Sequence, residues 1–280
     1  MTHLGVRRPL TFGPVRTSAD GLRLQGAILI SDLERDGSEQ LLGVLSSRIE
    51  TVVQPAVWVD DLRAASASTF DSRRFTARHL RGPLKGEIGT ALAHRGAYET
   101  ILAGPEGWWL VFEDDARILD LDQLLDRVSE VIATVPDREA CVVNLSHRAA
   151  RKPFFHRDIP IPGIWHPICP TYTATAYLLN SSAAAEMVEA QSPIQAQPDW
   201  PIDSRSVVFL QESRAYVEPN RELASVADPV GARSEVPYAI QIRTWTWIWY
   251  LQHRSFFKGA SDYWHGVLLP RLARHLYRSE

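Results

Sequence analysis

The chain has 280 residues, 45% hydrophobic and 22% charged, an ordinary globular mixture that excludes wholesale disorder. A formal net charge of −3 lacks the basic excess of nucleic-acid-binding proteins, so we expect no nucleic-acid partner. The two cysteines, Cys141 and Cys169, have no CxxC spacing, which favours neither disulfides nor zinc and fits a reducing, cytoplasmic location. No apolar run has the length of a membrane span, and no apolar stretch follows Arg7 and Arg8 as in a secretory signal.

Strand and helix patterns alternate along the chain after an irregular polar segment at residues 1–25. In chain order they predict a strand at 26–31, a helix at 38–49, a strand at 56–59, a helix at 85–103, a strand at 108–112, a helix at 121–135, strands at 141–145 and 174–179, and a helix at 181–191. This alternation is typical of a layered α/β domain with a mostly parallel central sheet.

The acidic end of one predicted strand is the most informative feature. The apolar run that begins at Trp108 is followed at once by Glu113, Asp114 and Asp115. Ligands of open α/β sheets bind at the carboxyl ends of the strands, where these acids would lie. Three like charges repel one another unless a cation compensates, and Mg²⁺ and Mn²⁺ prefer oxygen ligands. The stretch therefore predicts a divalent-metal site; the alternative is that the acids are simply solvated.

The helix predicted just before that strand carries a second candidate group. On a helical wheel His94 lies at the edge of the apolar arc, on the same side as Glu87. Spacing alone favours a border histidine with one hydrogen bond, and the alternative is that both side chains face a ligand. The sequence contains neither GxGxxG nor GxxxxGK[ST], so nucleotide binding would depend on a metal and on contacts at the strand ends.

Two segments, in this order, resemble a known family. KGEIGTALAH at 85–94 and WLVFEDD at 109–115 are similar to glycosyltransferase family 25, the lipooligosaccharide galactosyltransferase group, which has a Gly-Glu-(Ile/Val)-Gly-Cys-(small)-Leu-Ser-His helix and then an apolar strand ending in Glu-Asp-Asp. Thr90 stands where the family usually has Cys, and Ala93 where it has Ser. The segments 173–180 and 198–200 resemble later blocks of the family, and 30–35 matches its first-strand pattern only in part.

The resemblance implies a GT-A-type nucleotide-sugar-binding domain at 26–237, preceded by the irregular segment 1–25 and followed by an aromatic, basic helical appendage at 238–280. It implies a metal-dependent hexosyltransferase that moves a hexose, galactose above all, from a UDP-sugar to a cell-envelope glycan or glycolipid, with inversion. The expected cofactor is Mn²⁺ or Mg²⁺, which would neutralise the leaving diphosphate.

Residue roles follow from the same resemblance. Asp115 and Glu113 are assigned to the metal, because two residues apart on a strand they point to one side. An inverting transfer needs a base for the acceptor hydroxyl, with Asp199 the first candidate and Asp203 the second. Donor binding is assigned to Ile30, Ser31, Glu87, His94, Asp114 and Tyr177.

Other classes of function remain open at this level. A metal-dependent phosphohydrolase would also gather acids at a strand end, and a non-catalytic relative could serve as a binding subunit. Residues 240–278 mix aromatic and basic side chains, which suits either the inner face of a membrane or packing on the sheet or on a second subunit.

Overall fold

A computed structural model describes residues 23–34, 37–59, 69–71, 73–75, 83–135, 139–146, 156–167, 174–196 and 207–220. The strands are β1 (Leu24–Ile30), β2 (Thr51–Gln54), β3 (Trp108–Glu113), β4 (Ala116–Ile118), β5 (Cys141–Asn144), β6 (His156–Asp158), β7 (Ile164–Pro167), β8 (Ala176–Asn180), β9 (Val208–Glu212) and β10 (Val217–Pro219). The helices are α1 (Ser38–Ser46), α2 (Lys85–Ala103), α3 (Leu121–Thr134) and α4 (Ser181–Ala190).

Eight of the strands form one sheet in the order β2-β1-β3-β8-β5-β9-β7-β6, and β4 pairs with β10 in a separate small sheet. β1 is parallel to β2 and β3, and β5 is parallel to β9. β8 is antiparallel to both of its neighbours, β3 and β5, and β7 is antiparallel to β9 and β6. The mixed α/β class is confirmed, and the antiparallel β8 lies between two groups of parallel strands.

Helices cover both faces of the sheet, as the alternation along β3 shows. Trp108, Leu110 and Phe112 pack in one core cluster with apolar residues of α1 and α3. Trp109 and Val111 pack in a second cluster with residues of α2 and α4. Because both faces are covered, the strand is apolar throughout rather than alternating, and each fully buried large side chain stabilises the fold by about 1.5–3 kcal/mol.

The strand predicted at 56–59 is wrong. The second strand is β2, at Thr51–Gln54, and Pro55 follows it without the N–H that would continue the ladder. Residues 56–59 instead cross α2 at close range, because a Cβ built on Gly89 would lie 2.2 Å from the carbonyl oxygen of Val57. Glycine at position 89 thus permits this crossing.

The predicted helices at 121–135 and 181–191 are confirmed, and side chains cap both of their N-termini. Asp120 accepts a hydrogen bond from the backbone N–H of Gln123 at 3.0 Å. Asn180 caps α4 by accepting from the N–H of Ala183 at 2.9 Å. Within the described ranges, no helix combines the length and the apolar character needed to cross a membrane.

A buried ion pair joins α3 to the sheet. Arg127 donates from Nε to the Glu212 carboxylate at 2.6 Å and from a terminal nitrogen to the carbonyl oxygen of Pro162 at 2.5 Å. Glu212, at the end of β9, also accepts from the N–H of Ser213 at 2.9 Å. Both charges are therefore compensated where they are buried, and the pair fixes the helix against the strand end.

Candidate functional site

The three consecutive acids lie at the carboxyl end of the central strand β3, as predicted, but their surroundings differ. Glu113 is the last residue of the strand, whereas Asp114 and Asp115 form the turn that leads into β4. The carbonyl oxygen of Asp115 accepts a hydrogen bond from the N–H of Asn220 at 2.6 Å. This bond attaches the turn, called the acidic turn below, to the end of β10.

The turn removes the reason for placing the side chains of Glu113 and Asp115 on the same side. Alternation along a strand placed Glu113 and Asp115 on one side, but the strand ends at Glu113, so the alternation does not extend to Asp115. For Glu113 itself the alternation holds. Its side chain faces α2, on the same face as Trp109 and Val111.

His94 makes two hydrogen bonds from a fully buried position on α2. Its Nε2 lies 3.0 Å from Oε1 of Glu113, and its Nδ1 lies 2.8 Å from the hydroxyl oxygen of Tyr177 on β8. The interpretation of His94 as a border histidine with one hydrogen bond is therefore wrong. The imidazole joins the end of β3 to the adjacent antiparallel strand.

Tyr177 is likewise fully buried and stacks on the imidazole, with ring centroids 5.7 Å apart and an interplanar angle of 25°. Its hydroxyl oxygen lies 3.3 Å from that of Tyr98, one turn of α2 beyond His94. Burial, and then the neighbouring Tyr98, raise the pKa of Tyr177 well above its ordinary value. The phenol therefore stays protonated and available for hydrogen bonding throughout the neutral range.

Glu87 has a structural contact at the start of α2. Its buried carboxylate accepts a hydrogen bond from the N–H of Leu84 at 2.9 Å, the contact that the third helical residue makes in a capping box. The contact satisfies a backbone donor at the helix terminus that the helix itself leaves unpaired.

Ile30 and Ser31 lie at the carboxyl end of β1, and Ile30 is in register with Glu113. Ser31 is buried; its Oγ accepts from the N–H of Leu33 at 2.9 Å, and its own N–H donates to the carbonyl oxygen of Gln54 at 3.0 Å. Ser31 and Glu113 therefore both lie at the carboxyl edge of the sheet, called the polar edge below.

Two further polar residues at this edge, Asn144 and Gln211, were not singled out from the sequence. Asn144 ends β5 in register with Tyr177 and with Gln211 of β9, and both amide side chains are buried. The side-chain oxygen of Asn144 accepts from the N–H of Ser146 at 2.9 Å. Their sequence signal was the one used for the acids, a polar residue that follows an apolar strand.

The predicted bases Asp199 and Asp203 lie outside the described residues, as does the segment 238–280. Among the described residues, no group of three or more His, Cys, Asp or Glu side chains converges. A divalent ion on a nucleotide diphosphate needs only one or two protein carboxylates, because phosphate oxygens and water complete its octahedral shell. The acidic turn, with oxygen donors on consecutive residues, fits such an ion.

Comparisons with known proteins give little beyond this geometry. No protein-family model matches the chain, and no curated protein is significantly similar to it. A similar solved structure is described as "Crystal structure of a glycosyltransferase involved in the glycosylation of the major capsid of PBCV-1". It shares 11% identity over 59% of this chain and 64% of that chain, with a TM-score of 0.30. The match thus spans less than two thirds of that protein.

Proposed function

We propose that the chain is a metal-dependent glycosyltransferase of the family 25 type, which moves a hexose from a UDP-sugar, galactose first among the candidates, to a glycan or glycolipid acceptor of the cell envelope. One observation carries the proposal. Three consecutive carboxylates lie at the carboxyl end of the central strand β3, on the edge of the sheet where ligands of open α/β sheets bind. The sequence resemblance over the α2 and β3 segments supports it.

The residues have distinct parts in this reaction. Asp115 and Glu113 would hold Mn²⁺ or Mg²⁺, and Asp114 would contact the nucleotide sugar. The ion would supply the positive charge that offsets the charge developing on the leaving diphosphate. Asp199, or Asp203 in its place, removes the proton from the acceptor hydroxyl as the new glycosidic bond forms with inversion.

A panel of nucleotide sugars tests the proposal. Melting temperature is measured for each sugar nucleotide with and without Mn²⁺, because a ligand that binds the folded protein raises its stability. We expect a UDP-hexose with Mn²⁺ to give the largest increase, and UDP release to rise when a glycan acceptor is added. Phosphate release from simple phosphate esters would instead indicate a phosphohydrolase. Donor binding without turnover on any acceptor would indicate a non-catalytic binding subunit.

A further inference from the structure

We infer that His94, braced by Tyr177, is a positioning residue that fixes the carboxylate of Glu113 beside the acidic turn. The inference rests on the proposed function for the ligand that this carboxylate meets, but the hydrogen-bonded chain itself is independent of it. In this arrangement His94 and Tyr177 serve the site through Glu113 and do not touch the donor.

Burial is the first argument. The side chains of His94 and Tyr177 are fully buried, whereas that of Glu113 is 23% exposed. A ligand bound at the sheet edge therefore reaches the carboxylate but not the imidazole or the phenol behind it. Glu113 is the one member of this chain of contacts that lies at the surface.

Hydrogen-bond chemistry gives the second argument. A carboxylate only accepts, so His94 offers it the proton on Nε2, at the 3.0 Å contact with Oε1. The other ring nitrogen, Nδ1, lies 2.8 Å from the Tyr177 hydroxyl oxygen. Both nitrogens of the imidazole therefore have a partner at hydrogen-bond distance, and the two contacts together fix one ring orientation.

The origin of the partners gives the third argument. Glu113 belongs to β3, His94 to α2 and Tyr177 to β8, so β8 supports the helix residue that contacts the carboxylate of β3. His94 holds one oxygen of the Glu113 carboxylate from inside the fold. This contact restricts the rotamers of the long, flexible Glu113 side chain. Groups that orient a metal-binding carboxylate in this way typically affect metal affinity about 10–100-fold when they are removed.

The test compares two variants with a matched control on the same helix. Tyr177→Phe keeps the stacked ring and removes only the hydroxyl, and His94→Gln removes the imidazole. Thr100→Val is the control, because Thr100 donates to Gln54 Oε1 at 3.1 Å on α2 without contacting Glu113. Two quantities are measured: amide hydrogen exchange of residues 113–118 in the metal-free protein, and the Kd for Mn²⁺ titrated in the presence of UDP.

We expect Tyr177→Phe and His94→Gln to accelerate exchange at 113–118 and to weaken Mn²⁺ binding about tenfold or more, with Thr100→Val unchanged in both. Unchanged exchange and a Kd within about twofold for a folded Tyr177→Phe protein would overturn the inference, even if His94→Gln failed to fold. Wild-type protein that bound neither Mn²⁺ nor UDP would contradict the proposed function instead. The exchange measurement would then still decide whether His94 positions Glu113.

Discussion

At the scale of single residues, the acids of the β3 end are not equivalent. Glu113 lies at the end of a strand, where His94 contacts its carboxylate. Asp115 lies in the turn that follows, and its own carbonyl oxygen accepts a hydrogen bond from the N–H of Asn220. A turn gives its side chains directions that differ from those of the strand before it, so the metal and the diphosphate can meet Asp115 beyond the sheet edge. Asp115 is therefore the residue we expect to matter most for metal-assisted departure of the diphosphate.

Asp115→Asn tests this expectation, since the amide keeps the size of the side chain and loses the charge. We expect turnover to fall about a thousandfold, which corresponds to about 4 kcal/mol of lost transition-state stabilisation, with little change in melting temperature. EDTA should abolish wild-type activity and Mn²⁺ should restore it. Asp126→Asn, at an exposed position on α3, is the matched control and should retain full turnover. An Asp115→Asn enzyme with turnover close to wild type would show that the metal is held elsewhere.

The sequence predicted the position of Glu113 better than it predicted the partners of this side chain. The position of Glu113 after an unbroken apolar strand was enough to place it at the sheet edge. The contact between His94 and Glu113 was not predictable, because it depends on which face of the sheet α2 covers. The contact with Tyr177 depends in addition on β8 lying next to β3, a long-range pairing that periodicity does not encode.

At the scale of elements, the bounds and the directions of the strands were predicted less accurately than their existence. β8 was predicted as a strand, but an apolar run reads the same in both directions, so its antiparallel orientation required the tertiary structure. The second strand was placed at 56–59 because all four residues of that segment are apolar, whereas β2 begins with Thr51 and ends with Gln54. Pro55 between the two segments was the available signal, since it removes a ladder donor.

The crossing of residues 56–59 over α2 leads to a prediction about glycine. In Gly89→Ala the new methyl group would meet the carbonyl oxygen of Val57 at 2.2 Å, so the backbone must shift. We expect a loss of about 1–3 kcal/mol in the free energy of unfolding, typical of overpacking, measured from urea denaturation midpoints.

Gly43→Ala is the matched control for that experiment. Gly43 lies in α1, and among the described residues beyond its own helix no atom lies within 4 Å of the position that a methyl group would occupy there. Alanine should therefore stabilise the protein by about 0.5–1 kcal/mol through helix propensity alone. The two substitutions are chemically identical and should have opposite signs. A Gly89→Ala protein as stable as the Gly43→Ala protein would contradict the close approach of the 56–59 segment to α2.

At the scale of the whole molecule, the described core is formed by the sheet and by the helices on its two faces. The described buried residues of its three hydrophobic clusters lie between Ala27 and Val217. All of them therefore fall inside the proposed domain at 26–237. The same domain contains the elements that form the polar edge and the acidic turn.

Truncation after Pro237 tests this division of the chain. Because α1 and α3 already cover one face of the sheet and α2 and α4 cover the other, we expect the shortened protein to keep a cooperative thermal melt and to keep its melting-temperature response to Mn²⁺ and UDP. Sedimentation with anionic vesicles then separates the two interpretations of the aromatic, basic segment.

A membrane contact through residues 238–280 is supported if the full-length protein pellets with vesicles and the truncated form does not. A truncated protein that is insoluble or melts without cooperativity would show that the segment packs on the sheet or on a second subunit, and would contradict a self-contained core.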